Sequence, residues 1–527
     1  VTIDEIKGMY MKLDLLDDAV GVHRAQAMCY AYIYALQHDL ATISVQMTYC
    51  NLDTEDIRYF HYDYTFEELA VWFEKLIIEY KKWADFQFAW KKLRQASIKP
   101  LQFPFSYREG QKELAAGVYR TISRKKNLFI QAPTGAGKTI STVFPAVKAV
   151  GEDLADKIFY LTAKTITGTV AREAFELLRK NGYQAKVLTI TAKEKLCLCE
   201  EMECNPVNCP YAKGHYDRVN DAVFSLLQKE DMITREVILE QAKEYNVCPF
   251  EMCLDTATWV DDIICDYNYV FDPNVYLKRF FADGTTGDYI FLVDEAHNLV
   301  ERSREMYSAI IYKEDFLLAK KILKKYGQAK LMRELEKCNR VLLSYKRECE
   351  KYVIYESIGN FAFELMNVAS DLDEFLQKAP EFPERKDLSE FYLNLRNFLN
   401  IYELLDDHYV VYAEHEQDGR FKLKLYCVDP SKNLQERINK GNATIFFSAT
   451  LLPVGYYKSL LSTETDNYAV YAKTAFREEQ KLLLLGNDVS SKYTRRSAGE
   501  FERIASYVKK TTDAKKGNYM VFFPSYR

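Results

Sequence analysis

Apolar and polar residues alternate with two different periods near the amino end of the chain. The pattern predicts strands over Val1–Lys7, Thr42–Tyr49 and Ile57–Tyr64, and helices over Val22–His38 and Thr65–Lys99. Strands that alternate with helices in this way are typical of an α/β fold. We therefore expect a small α/β domain at the amino end.

Two later apolar runs end in residues that carry chemistry. The run Asn127–Ile130 leads into a glycine-rich turn, and the run Phe291–Val293 ends in two carboxylates. A continuous apolar run is typical of a buried parallel strand, which presents polar residues at its carboxyl end. Between the small domain and this region, the Pro-aromatic segment Lys99–Phe105 is interpreted as a linker.

The chain between these motifs is too long for simple connections. Clustered cysteines lie between the glycine-rich turn and the carboxylates, and residues 297–448 are mostly amphipathic helix. A strand pair is predicted over Tyr409–Ala413 and Phe421–Val428. We interpret the two regions as insertions into one α/β nucleotide-binding sheet.

The glycine-rich turn has the pattern of a phosphate-binding loop. Its backbone N–H groups and the following helix dipole would hold phosphate oxygens. Lys138 would reach the β- and γ-phosphates, and the Thr139 hydroxyl would bind Mg²⁺. Ala132 stands where the simplest pattern has its first glycine, and Gln111 is placed to read an adenine edge. The predicted nucleotide-binding residues are Arg108, Gln111, Ala132, Pro133, Thr134, Gly135, Ala136, Gly137, Lys138 and Thr139.

The acidic pair suits the other half of a phosphoryl-transfer site. Asp294 would hold Mg²⁺, and Glu295 would orient and deprotonate the attacking water. Taken by itself, this motif has an alternative interpretation as an exposed acidic pair at a strand end. Further on, Ser448-Ala449-Thr450 follows another apolar run and is expected to hydrogen-bond to Asp294 or His297, relaying the nucleotide state to a bound strand.

Composition narrows the class of protein. The 527 residues carry a net charge of −5, so any nucleic-acid contact must use local basic grooves. No apolar run is long enough to span a bilayer. Four of the 12 cysteines, Cys197, Cys199, Cys204 and Cys209, lie close together and Cys248 precedes a proline. In a reducing compartment such thiols would hold zinc or an iron–sulfur cluster, the alternative being unligated buried thiols.

Taken in order, the motifs resemble those of superfamily 2 helicases, and the cysteine cluster resembles the 4Fe–4S domain of the XPD/DinG family. The resemblance implies Cys197, Cys204, Cys209 and Cys248 as cluster ligands, with Cys199 as a competitor for Cys197. Zinc is the alternative to iron. Cys253 and Cys265 are expected to pack as small apolar residues. The segment Phe159–Thr165 is expected to bind phosphates of a single strand.

The resemblance also implies an α/β architecture with a P-loop (RecA-like) helicase lobe and inserted domains. We expect a nuclease-like part at 1–100, lobe 1 at 101–195, 254–312 and 429–455, an iron–sulfur domain at 196–253, a helical arch domain at 313–428, and the start of an incomplete second lobe at 456–527. The segment Tyr519–Arg527 resembles the first strand of that second lobe. Later helicase motifs are absent, so weak ATP hydrolysis is expected.

The function implied is an ATP-dependent 5′→3′ DNA helicase that uses ATP, Mg²⁺ and a 4Fe–4S cluster. Single-stranded and forked DNA would be its partners, and a monomer in a bacterial-type cytoplasm, associated with the nucleoid, is expected. The alternatives are a nuclease to which the motor feeds DNA, and a nucleotide-gated nucleic-acid-binding module without unwinding.

The amino-terminal segment resembles the second half of a RecB-like PD-(D/E)xK nuclease. That resemblance implies Glu5 as a metal ligand, Lys7 as the group that stabilises the attacking water, and Gln26 and Tyr30 near the site. Gln26 and Tyr30 lie one helical turn apart and share a face. An α/β domain with a surface Glu-x-Lys strand and no catalysis is the equal alternative.

Overall fold

The computed structural model describes residues 1–10, 13–52, 54–163, 165–379, 382–472, 479 and 482–523. The chain divides into two compact units, Val1–Lys473 and Thr474–Arg527. No helix among the described residues combines the length and apolar character that crossing a membrane requires.

The amino-terminal part is a three-stranded sheet covered by helices. Its elements are β1 (Thr2–Met9), α1 (Gly21–His38), β2 (Thr42–Asn51), β3 (Ile57–Thr65) and α2 (Phe66–Ile98). Strand β2 is central, parallel to β1 and antiparallel to β3. Apolar residues of α1, β2 and the first turn of α2 form one core. All five elements predicted from the sequence are confirmed.

Helix α2 ties this part to the rest of the first unit. It begins with a capping box in which Thr65 and Glu68 satisfy each other's backbone N–H groups. Its carboxyl-terminal half packs through Trp83 and Ile98 into two further cores. The following Leu101 is also buried. The predicted linker segment has no regular secondary structure, but it does not run free of the core: Leu101 is buried and Phe103 packs against the same core, whereas Phe105 is exposed.

An eight-stranded sheet dominates the first unit, and all its strand pairs are parallel. Its strands are β4 (Asn127–Gln131), β5 (Lys157–Thr162), β6 (Val187–Thr189), β7 (Met232–Ile233), β8 (Asp262–Asp266), β9 (Tyr289–Asp294), β14 (Ala443–Ser448) and β15 (Tyr468–Tyr471). The spatial order is β15-β4-β14-β9-β5-β8-β6-β7. Alternate residues of each central strand enter separate cores on the two faces, which explains the continuous apolar runs. The predicted α/β class is confirmed.

Helices flank this sheet on both faces. They are α3 (Gln111–Ser123), α4 (Lys138–Gly151), α5 (Thr165–Lys180), α6 (Lys193–Leu196), α7 (His215–Lys229), α8 (Arg235–Tyr245), α9 (Pro249–Ala257), α10 (Asn268–Phe271), α11 (Lys278–Phe281), α12 (His297–Met306), α17 (Ser431–Ile438) and α18 (Val454–Leu461). Strand β14 lies between β4 and β9, which brings the carboxyl ends of these three strands together. Each of those ends carries one of the predicted motifs.

The region predicted as a separate iron–sulfur domain, 196–253, is partly built into the sheet. Strand β7 pairs with β6, and α7, α8 and α9 contribute to the same core as β5 and β9. The predicted boundary is wrong for these elements, because short apolar segments such as Met232–Ile233 complete the sheet edge. The cysteine-bearing loop, residues 197–214, lies outside regular secondary structure.

The second insertion has its own sheet and core. Strands β10 (Ala309–Tyr312), β11 (Tyr352–Tyr355), β12 (Tyr409–His415) and β13 (Phe421–Cys427) form an antiparallel sheet in the order β10-β13-β12-β11. Helices α13 (Lys313–Lys325), α14 (Ala329–Glu348), α15 (Gly359–Lys378) and α16 (Arg385–Tyr402) pack against it. The predicted strand pair is confirmed. The insertion begins at β10, earlier than the predicted residue 313.

The predicted start of a second lobe at residue 456 is wrong. Strand β15 pairs with β4, so the chain is still part of the large sheet at Tyr471. In the second unit, the described residues contain α19 (Ala498–Ala514). Residues 519–523 form no strand, because no pairing partner accompanies them among the described residues. The rest of the predicted Tyr519–Arg527 strand lies outside the described residues.

Candidate functional site

The phosphate-binding loop has backbone conformations that favour glycine. Gly135 and Gly137 have φ values of +85° and +70°. A Cβ atom at Gly137 would lie 2.5 Å from Gln111 Nε2. The Arg108 guanidinium donates to the Gly135 carbonyl, and the Arg108 N–H donates to Gln111 Oε1 at 3.1 Å. The two residues predicted upstream of the loop therefore contact it directly.

The lysine and the two acids meet at the carboxyl edge of the sheet. Lys138 Nζ lies 3.7 Å from Glu295 Oε1. Asp294 Oδ1 accepts from the Glu295 N–H at 2.9 Å. Burial raises the pKa of Asp294 to about 6, while the hydrogen bond from Tyr160 lowers it. Glu295 has a φ of +49°, an uncommon conformation for a residue with a side chain.

Ser448 links the end of β14 to the acidic segment. Its hydroxyl donates to Glu295 Oε2 at 2.9 Å and lies 2.8 Å from His297 Nδ1. Since the hydroxyl proton is given to Glu295, His297 Nδ1 would be the donor in the second bond. The Thr450 N–H donates to Ser448 Oγ at 3.1 Å. The Ala449 carbonyl accepts from the side-chain amide of Gln131, at the end of β4. The expected contact with His297 is present, but the partner acid is Glu295 instead of Asp294.

The same edge joins the loop to these residues through the backbone. The Ala132 N–H donates to the Ser448 carbonyl at 3.0 Å. In the strand register, Phe447 faces Asp294 and Ser448 faces Gln131. Pairing of β14 with both neighbours therefore assembles all three motifs.

Two buried tyrosines were missed from the sequence. The Tyr160 hydroxyl donates to Asp294 Oδ2 at 2.8 Å and also hydrogen-bonds to Thr139. The Tyr267 hydroxyl contacts the Asp294 carbonyl and lies 3.1 Å from the Glu295 carbonyl. Burial raises the pKa of both tyrosines well above the usual range. A tyrosine within an apolar strand needs a hydrogen-bond partner, and Tyr160 carries that signal in the sequence.

A cavity of about 900 Å³ opens beside the acidic pair, over the carboxyl ends of β5, β6 and β8. Six basic residues line it: Arg172, Lys193, Lys195, Arg235, Lys278 and Arg279. Four acids also line it: Glu194, Glu236, Glu251 and Asp266. Phe250, Tyr269 and Tyr276 supply aromatic surface, and Thr162 supplies a hydroxyl. Lys164, part of the predicted phosphate-binding segment, lies outside the described residues.

The clustered thiols lie close to one another but do not form a ready metal site. Cys199 Sγ and Cys209 Sγ are 3.8 Å apart. Burial and the neighbouring thiols of Cys209 and Cys197 raise the pKa of Cys199 to about 11. Within the part of the chain that the structure describes, no group of three or more His, Cys, Asp or Glu side chains has metal-holding geometry. The soft thiol donors nevertheless match what zinc or an iron–sulfur cluster requires.

Cys248 approaches this loop from the first turn before α9. Its N–H donates to Nδ1 of the buried His215 at 3.2 Å, a contact that sequence reasoning missed. Cys253 and Cys265 are buried in the apolar core, which confirms their predicted packing role. Cys204 is exposed.

The four amino-terminal residues singled out from the sequence form one polar chain. Lys7 Nζ lies 2.8 Å from Glu5 Oε1 and donates to Gln26 Oε1 at 3.0 Å. The Gln26 amide donates to the Tyr30 hydroxyl at 3.0 Å. The parallel strand and the helix thus place all four side chains on one side of β1.

Known proteins are similar to this chain in sequence. The DEAD_2 family profile matches residues 179–316. The ATP-dependent DNA helicase XPD of Sulfolobus acidocaldarius is 23% identical over 438 residues, covering 80% of this chain and 72% of the relative. A "Probable ATP-dependent helicase" of Methanocaldococcus jannaschii is 24% identical over 481 residues, covering 81% of this chain and 70% of the relative. A solved XPD helicase structure aligns with a TM-score of 0.46 and 20% identity over 80% of this chain and 72% of its own.

Proposed function

We propose that this chain belongs to the XPD/DinG-like family of superfamily 2 helicases and is an ATP-dependent DNA helicase of the XPD type. The observation that carries the proposal is the contact set at the carboxyl edge of the large sheet. Glu295 lies 3.7 Å from Lys138 there and accepts a hydrogen bond from Ser448 at 2.9 Å. Their motifs come from three strands that are distant in sequence but adjacent in space.

The residues divide the work of ATP hydrolysis. The loop N–H groups and Lys138 would bind the phosphates, so the lysine would exchange part of its pairing with Glu295 for the γ-phosphate. Mg²⁺, when bound by Thr139 and Asp294, would neutralise charge on the phosphates. Glu295 would accept a proton from the attacking water. Ser448 and His297, both beside the Glu295 carboxylate, would sense whether it is engaged.

The nucleic-acid partner of this motor is single-stranded DNA, including the single strand of a fork. The cavity beside the acidic pair offers cations for phosphates and aromatic rings for bases, a combination typical of single-strand binding. Movement in the 5′→3′ direction, a helical arch at 313–428, a monomeric state and a cytoplasmic, nucleoid-associated location are proposed from the family alone.

A 4Fe–4S cluster is proposed for the cysteine-bearing loop, held by thiolates from Cys204, Cys209, Cys248 and either Cys197 or Cys199. The contact between Cys199 and Cys209 favours Cys199 as the neighbour of Cys209. That 3.8 Å separation also equals the edge of a tetrahedron with Zn–S bonds of about 2.3 Å. Zinc therefore remains the alternative that elemental analysis must exclude.

Calorimetry of ATP and ADP binding tests the motor proposal. Wild-type protein is expected to take up either nucleotide in the presence of Mg²⁺, and Lys138→Ala is expected to lose most of this affinity because the phosphates lose their ammonium partner. Lys148→Ala, near the carboxyl end of the same helix, is a control that should bind normally, because Lys148 donates to the Ile98 and Lys99 carbonyls and not to the loop. Absence of Mg²⁺-dependent uptake by folded wild-type protein would refute the proposal.

A second candidate function rests on the amino-terminal polar chain. Glu5, Lys7, Gln26 and Tyr30 are connected by three short contacts, an arrangement that a PD-(D/E)xK nuclease remnant would keep. We propose Mg²⁺-dependent cleavage of single-stranded DNA as its activity. Loss of cleavage in Lys7→Ala, with cleavage retained in the surface variant Lys509→Ala, is the expected result. Equal cleavage by both variants, or none by the wild type, would reject it.

A further inference from the structure

A single turn connects the large cavity to the acidic pair. The Asp266–Tyr269 turn runs from the last residue of β8 into the start of α10, and its residues Asp266, Asn268 and Tyr269 line the cavity. The fourth residue, Tyr267, has its side chain fully buried on the other side. Its hydroxyl reaches the backbone carbonyls of Asp294 and Glu295. One short segment therefore touches both the cavity and the backbone that carries the acids.

A second contact ties the same turn to the helix after the acids. Arg302, on α12, donates to Asn268 Oδ1 at 3.0 Å and lies 3.5 Å from Asp266 Oδ1. Helix α12 begins at His297, directly after the acidic pair. A displacement of the Asp266–Tyr269 turn would therefore act on the Asp294–Glu295 pair in two ways: directly through Tyr267, and through Arg302 on the helix that follows the pair.

Glu295 is the residue on which such a displacement would have most effect. Its left-handed φ of +49° is strained for a residue with a side chain of this kind, so surrounding contacts must hold it. The Tyr267 hydroxyl and the Asn298 amide both contact the Glu295 carbonyl. One oxygen of the Glu295 carboxylate faces Lys138, and the other accepts a hydrogen bond from Ser448. A small change at the carbonyl would redirect the carboxylate.

We propose that the Asp266–Tyr269 turn couples binding of a single strand in the cavity to nucleotide binding, with Tyr267 as the positioning residue. The proposal rests on the proposed function, since it needs both ligands. Coupling of this kind is reciprocal: the strand changes nucleotide affinity by the same factor as the nucleotide changes strand affinity. Tyr267 touches neither ligand and acts through the backbone of Asp294 and Glu295.

The test compares wild type with Tyr267→Phe, which removes only the hydroxyl. Calorimetry gives the affinity for Mg–ADP with and without a saturating oligo-dT, and the affinity for oligo-dT alone. Wild-type protein is expected to show a coupling factor of about fivefold or more. In Tyr267→Phe the coupling factor should fall to about one while each separate affinity stays within about twofold of wild type.

Tyr183→Phe is the matched control. Tyr183 is also buried, and its hydroxyl donates to Asp262 Oδ2 at 3.0 Å, at the amino end of β8 and away from the acidic pair. It should lose similar stability but keep the coupling. Arg302→Met, at a partly exposed position, provides a second variant should Tyr267→Phe fold poorly, and it should lower the coupling factor while leaving the affinities in place.

The outcomes separate the two claims. A wild type that binds no Mg–ADP contradicts the proposed function. A wild type that binds both ligands without coupling overturns the inference, as does a Tyr267→Phe variant with wild-type coupling. Loss of coupling in Tyr183→Phe to the same extent also overturns it, because the effect would then follow from any lost buried hydroxyl.

Discussion

At the residue scale, the candidate site depends on a few side chains with more than one partner. Glu295 faces Lys138 and Ser448 at once, and Asp294 accepts from Tyr160 and from its own neighbour's N–H. Shared partners hold the acids in place before a nucleotide arrives. Such preorganisation is the main source of rate in phosphoryl transfer.

A different buried acid supplies a test by pH. Burial raises the pKa of Asp262 from 3.8 to about 8, with Asp261 adding to the rise and Tyr183 opposing it. The folded protein therefore holds a proton on Asp262 that the unfolded chain releases, and the contribution of this carboxyl to stability falls as pH rises between about 4 and about 8. The slope attributable to this carboxyl is about 1.4 kcal/mol per pH unit.

Asp262→Asn mimics the protonated carboxyl and should lack this slope. Compared with wild type, the variant is expected to gain thermal stability steadily from acid to pH 8, as measured by melting temperature across that range. Asp288→Asn, at the exposed start of β9, is the control. Parallel melting curves for Asp262→Asn and wild type would show that the carboxyl is ionised throughout.

At the element scale, α2 is the longest helix bound to the large sheet. Arg94 donates to Asp261 Oδ1 at 2.7 Å with both side chains buried, and the Trp90 indole donates to the other oxygen of Asp261. Asp261 also accepts from the Lys186 N–H. The helix is therefore held by a buried charge pair with additional hydrogen bonds, not only by apolar contact.

Removing Arg94 should detach this helix. Arg94→Met leaves the Asp261 carboxylate buried without its cation, a change that typically costs about 3–5 kcal/mol. Lys91→Met removes the exposed ion pair in which Lys91 Nζ lies 3.3 Å from Asp156 Oδ1. This change should lower the free energy of unfolding by less than about 1 kcal/mol. Chemical denaturation measures both, and faster proteolysis within α2 should accompany the first variant only. Equal effects would mean that the apolar contacts alone hold the helix.

The cysteine-bearing loop is a second element whose role is open to measurement. Cys248→Ser should reduce bound iron, because Cys248 approaches the loop cysteines from α9. Cys253→Ala, buried in the core, should retain the iron, although it loses packing. Iron and zinc contents per chain are the readout. Finding zinc without iron in wild-type protein would mean that the loop holds a structural zinc ion instead of an iron–sulfur cluster.

At the scale of the whole molecule, charge and topology act together. The net charge of −5 opposes nonspecific attraction to DNA, so the proposed binding of a single strand would rely on the local excess of six basic over four acidic residues at the cavity. The carboxyl edge of the eight-stranded sheet holds this cavity and the nucleotide motifs side by side.

Salt dependence should report this local attraction. Affinity for oligo-dT is expected to fall as salt rises, and Lys278→Ala should make the slope of log affinity against log salt shallower by about 0.7, the value for one lost phosphate contact on a single strand. Lys509→Ala, in the second unit, should leave the slope unchanged. An unaltered slope in Lys278→Ala would place the strand elsewhere.

Much of the fold was predictable because its signals are local. The five amino-terminal elements and the strand pair at 409–428 follow from periodicity within short windows. The errors came from pairing. The short strands β7 and β15 carry little periodicity, and their membership of the large sheet depends on neighbours far away in sequence. The burial of Leu101 in the supposed linker was missed for a similar reason, since the residues that bury it are named by no local pattern.

The sequence alone determined which chemical groups this protein carries: the phosphate-binding turn, the acids at a strand end, the Ser-Ala-Thr segment and the clustered thiols. Each is a contiguous pattern whose chemistry depends on residue type and spacing. The tertiary structure decided that Ser448 bonds to Glu295 instead of Asp294, and that Tyr267 supports the acid backbone. Strand order and register set those contacts, because they bring together residues that are 153 and 28 positions apart along the chain.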